Sequence, residues 1–170
     1  DEALSFIRRN IDVWWPHIEA GAEAIIVSAS GCGVMVKDYV HLLSNDTAYA
    51  ARAKKVSELA RDVSEVLAEE DLSVLATKTS RKVAFHSPCT LQHGQKLNGK
   101  VEAILAGLGF ELTPVPDAHL CCGSAGTYSI LQAEMSQVLL RNKLDALEGS
   151  KPELIATANV GCQLHMSSRA

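Results

Sequence analysis

Leu4, Ile7, Ile11 and Trp14 recur at intervals of three and four residues, which predicts an amphipathic helix that stops near Pro16. Ala24 to Ser28 is a short apolar run after Gly21 and predicts a buried strand. The small-residue loop Ala29 to Gly33 follows it. Tyr49, Ala53, Val56, Ala60, Val63 and Leu67 then keep one face apolar and predict a second helix. Thr77 to Arg81 is polar and aperiodic, and reads as a linker.

The second half repeats the alternation. Lys82 to His86 predicts a strand, with Ser87-Pro88-Cys89 as its exit loop. Leu97, Val101, Ile104, Leu105 and Leu108 mark a helix, and Gly109 suits the position just past its end. Phe110 to Val115 predicts the next strand, and Pro114 places it at a sheet edge or a strand end. After the loop Asp117 to Gly126, apolar positions from Ile130 to Leu144 predict one long helix, and Leu154 to Ala158 the last strand. Strands alternating with helices imply an α/β fold, with right-handed crossovers and a parallel sheet covered on both faces. The stretch Ser28 to Met35 is echoed by Thr157 to Leu164: both run from a strand through small residues and Gly-Cys into a helix.

Composition narrows the function classes. Hydrophobic residues make up 47% of the 170 and charged residues 21%, enough for a packed core. Net charge is −4 and aromatics are 5%, with no basic stripe, so no nucleic-acid partner is expected. No apolar run approaches the roughly 20 residues of a membrane helix. The opening Asp1-Glu2 lacks an initiator Met, a basic n-region and an apolar h-region. The expectation is a fragment of a longer protein without a signal peptide, located in the cytoplasm.

The five cysteines change the picture most. Cys32, Cys89, Cys121, Cys122 and Cys162 are odd in number and lie in a chain with no export signal, which argues against a disulfide framework. Each lies a few residues past a predicted strand. In a parallel sheet those ends share one edge, the edge where such folds bind ligands. Helices starting there present free N–H groups and partial positive charge, which predicts thiolates rather than thiols. Such an edge suits a soft metal or an iron–sulfur cluster, against the alternative of buried core thiols. Adjacent cysteines such as Cys121 and Cys122 contact two metals of one cluster more readily than a single ion, and Gly123 and Gly126 let backbone N–H groups approach sulfur. Cys162 and His165 share a helix face if a helix starts there. His86 and His119 flank cysteine loops, as hydrogen-bond donors supporting the ligands or as ordinary histidines. His17, His41 and His93 read as structural or exposed, and Trp14-Trp15 as core.

The pattern Cys89, then Cys121-Cys122-Gly123, then Cys162 resembles the cysteine-rich CCG domain family, with spacers over residues 90–120 and 123–161. The phrases His86 to His93, Cys121 to Tyr128 and Thr157 to His165 are similar to the branch of that family found in glycolate oxidase iron–sulfur subunits. The resemblance covers the whole chain. It implies residues 1–75 as the end of a first CCG repeat and 76–170 as most of a second, with Cys32 a candidate second site standing apart from the other four. It implies a 4Fe-4S cluster held by Cys89, Cys121, Cys122 and Cys162. His165 stands where the family carries its last cysteine and is a ligand or a bystander. The implied function is an electron-transfer subunit receiving electrons from flavin-containing glycolate oxidase subunits, at the inner face of the membrane without spanning it. The fragment alone is not expected to turn over substrate. The rival readings are a zinc-binding assembly module and a thiol–disulfide protein using Cys121 and Cys122.

Overall fold

The computed structural model describes residues 2–77 and 79–168. Lys78, inside the predicted linker, lies outside the described residues. The chain is α/β, with every strand pair parallel, and it divides into two compact units, Asp1–Val63 and Ser64–Ala170.

In the first unit, α1 (Glu2–Glu19) runs through Pro16 rather than stopping there. Proline removes one helix N–H, but Trp14, Trp15 and Ile18 continue the apolar face onto the core, and that packing holds the last turn. The helix ends instead at Gly21, whose φ of +98° allows a left-handed turn. There Ala22 N donates to His17 O and Gly21 N to Ile18 O, satisfying the terminal carbonyls. β1 (Ile25–Val27) leads into α2 (Ser30–Lys37), α3 (Tyr39–Leu42) and α4 (Ala50–Leu59). The predicted second helix is interrupted: Ala60–Asp62 form β2, paired with β1 from Ile25↔Ala60 to Val27↔Asp62. The helical pattern resumes only in α5 (Val63–Leu67), which from Ser64 onward belongs to the second unit. Ile7, Ile11, Val36, Tyr39, Leu43, Ala53 and Val56 form the core.

The second unit is built on a three-stranded sheet. β3 (Lys82–His86) is central, with β4 (Glu111–Leu112) on one side and β5 (Leu154–Thr157) on the other. β4 is shorter than its apolar run predicts: Thr113 N still donates to Val83 O, but Pro114 has no N–H to continue the ladder. Alternate residues of β3 face opposite sides. Ala84 packs with Leu140 and Leu147 of α8 (Ala133–Glu148) and with Met166 of α9 (Val160–Ser167). Phe85 packs with Leu91, Leu97, Val101 and Leu105, the last two from α6 (Lys100–Gly107). Both faces are therefore covered. The predicted long helix is two pieces, α7 (Tyr128–Leu131) and α8, broken at Gln132 with φ −125° and ψ 50°. Among the described residues no helix is long and apolar enough to cross a membrane.

Candidate metal centre

Because β3, β4 and β5 are parallel, their exits lie on one edge of the sheet, and three chain segments deliver cysteines there. Cys89 sits at the mouth of a wide helical turn, Thr90–Gly94, just after β3. Cys121 and Cys122 lie in the loop after β4. Cys162 is the third residue of α9, directly after β5.

The four sulfurs form a chain of neighbours. Cys89 is within hydrogen-bonding reach of Cys121, Cys121 of Cys122, and Cys122 of Cys162. Cys122 and Cys162 are buried, Cys89 and Cys121 half-buried, and all four are free thiols. His86, the last residue of β3, shares the face of Ala84 and meets this group from below. One of its ring nitrogens and the sulfurs of Cys122 and Cys162 all lie within 4.8 Å of one another.

Local hydrogen bonds fix the loops. Gly123 N donates to Cys121 Sγ at 3.3 Å, as a backbone N–H toward sulfur should. Ser136 Oγ, fully buried on α8, donates to Gly123 O at 2.9 Å and stands 3.2 Å from His165 Nε2. Asn159 Oδ1 accepts from Gly161 N and Cys162 N, capping α9 at 2.8 and 3.2 Å. Lys143, buried on α8, donates to Asp117 O at 3.0 Å and pins the backbone leading to Cys121. Ser87 Oγ, in the stretch between His86 and Cys89, is buried with no hydrogen-bond partner among the described residues.

The expected thiolates are not what this environment favours. Burial, then the neighbouring Cys121, raises the Cys89 thiol. The hydrogen bond with Cys122, reinforced by burial, pushes Cys121 far above the ordinary range. For Cys122 the hydrogen bond from Cys121 lowers the pKa, but the one with Cys162 and burial outweigh it and push it up to about 11. A helix N-terminus contributes only about 0.3–1 kcal/mol. That is too little to ionise crowded, buried sulfurs without a cation among them. Burial, helped by the Lys143 charge, lowers His86 to about 4, so its imidazole is neutral. Burial lowers Lys143 as well, opposed by negative charge on Cys122, Asp117 and Cys121.

Of the other candidates, His165 sits on α9 beside Ser136 and outside the compact donor group. Cys32 lies in the first unit, as its sole cysteine, exposed at the third position of α2. His93 Nε2 stands 3.2 Å from His119 O and tethers the loop before Cys121. His86 falls inside the donor group, where the sequence offered it only as a supporting donor or an ordinary histidine. Its signal was strand parity: it lies two residues from Ala84 and is the last residue before a cysteine loop.

Residues 83–167 match the family model described as "Cysteine-rich domain" (CCG). The glycolate oxidase iron-sulfur subunit of Escherichia coli (strain K12) is 58% identical over 99% of this chain and 41% of its own length. The probable glycolate oxidase iron-sulfur subunit of Bacillus subtilis (strain 168) is 35% identical over 85% of this chain and 33% of its own. Lactate utilization protein A of Anoxybacillus flavithermus is 31% identical over 87% and 63%. The chain thus spans a third to two thirds of the length of these relatives.

Proposed function

This chain belongs to the cysteine-rich CCG domain family, and we propose that it is the cluster-bearing part of an electron-transfer subunit in an oxidoreductase acting on glycolate or a similar 2-hydroxy acid. The observation that carries the reading is the meeting of four free cysteine sulfurs at the C-terminal edge of one parallel sheet. The donor set fits an iron–sulfur group: thiols without disulfide partners, two of them buried, with a backbone N–H already aimed at one sulfur.

When bound, such a cluster supplies one-electron transfer. Every other contribution comes from the chain itself. Cys89, Cys121, Cys122 and Cys162 hold the group. Gly123 N–H withdraws charge from sulfur, and the α8 and α9 packing keeps water from the inner two cysteines. Lys143 places a cation near Cys121 and Cys122, which favours added negative charge there. A 4Fe-4S type, electron supply from a flavin-bearing partner subunit, and attachment to the inner face of the membrane through that complex belong to the same proposal. So does the parsing of residues 1–75 and 76–170 as parts of two repeats, with Cys32 belonging to the first.

A thiol–disulfide role for Cys121 and Cys122 is disfavoured, because such enzymes need a lowered thiol pKa and both are raised here. Zinc held by the same sulfurs would make the unit an assembly module. Anaerobic purification of the full-length chain separates the two. The expected result is a brown protein with iron and acid-labile sulfide, and Cys121→Ser and Cys162→Ser should each lose most of the iron assigned to this domain. Stoichiometric zinc in a colourless protein would overturn the proposal.

A further inference from the structure

We infer that His86 supplies a ring nitrogen to the metal group held by the cysteines, and that His165 is a positioning residue and not a ligand. The inference rests on the proposed function, which assigns the cysteines but no nitrogen.

Three observations point to His86. It is the last residue of the central strand and is only 2% exposed, so its ring has no solvent role. A ring nitrogen and the sulfurs of Cys122 and Cys162 fall within 4.8 Å of one another. Metal–nitrogen and metal–sulfur bonds are about 2.0–2.3 Å, so three donors on one metal stand roughly 3.5–4 Å apart. With all three donors already inside 4.8 Å of one another, a closure of about 1 Å or less brings them onto one metal.

The third observation is the ring's support. His86 and Thr157 are register partners on adjacent strands, and His86 Nδ1 stands 2.9 Å from Thr157 Oγ1. With Nδ1–H donated to that hydroxyl, Nε2 keeps its lone pair. Metal-bound imidazoles are held in this way, one nitrogen on the metal and the other fixed by a neighbouring oxygen.

His165 is differently engaged. The single hydroxyl proton of Ser136 goes to Gly123 O, so at the 3.2 Å contact His165 Nε2 must be the donor. The imidazole therefore braces Ser136, which braces the glycine beside Cys122. Its place three residues after Cys162 serves the loop.

The test uses the full-length chain, purified anaerobically with 15N-labelled histidine, reduced, and read by pulsed EPR for nitrogen coupling to the cluster. The coupling should be present in the parent and in His165→Ala, and absent in His86→Ala. His86→Cys should keep its iron, lose the coupling and show a lower reduction potential, because thiolate adds negative charge. This variant keeps a donor at the site should His86→Ala fail to fold. Coupling that survives either His86 substitution, or that disappears in His165→Ala, overturns the inference. So does iron lost from His86→Cys, or iron-loaded parent protein with no nitrogen coupling. A parent without iron overturns the proposed function itself.

Discussion

Gly123 carries the strictest steric demand at the site. Its φ is +90°, and a Cβ there would stand 2.5 Å from the backbone oxygen of Ser136. Alanine must therefore displace either the cysteine loop or α8. Gly123→Ala should destabilise the second unit by about 2 kcal/mol or more, read as an earlier urea midpoint; an unmoved midpoint would mean the loop yields freely. At this scale the sequence was informative wherever a residue's chemistry is scarce. Cysteines at strand exits, and a glycine after a cysteine pair, could be picked out unaided. The protonation of those cysteines could not, because it depends on how closely three segments bring their sulfurs. The role of His86 was half legible: its place beside the Cys89 loop was plain, but its meeting with Cys122 and Cys162 depends on loops far along the chain.

Among the elements, α2 and α9 make an instructive pair. Both follow a strand, and both carry a cysteine at their third position, Cys32 and Cys162. The echo between Ser28 to Met35 and Thr157 to Leu164 is thus a repeat of local structure. The two differ at the N-cap, where α9 has Asn159 with two side-chain bonds and α2 has Ala29 with none. Asn159→Ala should cost about 1 kcal/mol, measured by thermal or urea unfolding, and should speed amide exchange at Gly161 and Cys162. Exchange unchanged at those two amides would show that packing alone holds the turn. Strands and helices with a clean period were readable, and β2 was not. Ala60 and Val63 continue the helical spacing of α4, and only pairing with β1, more than thirty residues earlier, makes Ala60–Asp62 extended. Pro16 misled in the opposite direction, since a local breaker was overruled by the apolar contacts of Ile18.

For the molecule as a whole, alternation of strand and helix was enough to give a parallel α/β architecture, while the division at Val63 carries no compositional mark. Burial ranks the cysteines by access. In the metal-free chain, alkylation followed by mass spectrometry should modify Cys32 first, Cys89 and Cys121 next, and Cys122 and Cys162 last. Equal rates at Cys32 and Cys162 would show that the interior of the second unit opens freely. The burial of Cys122, 1% exposed at the meeting of Ala84, Leu140 and Cys162, also bears on biogenesis. A chain that folds before it meets its metal has closed the door on its innermost donor. Loading then waits on transient opening of the loop between β4 and α7, and its rate should level off as iron and sulfide are raised. Delivery during synthesis, before α8 packs down, escapes that ceiling.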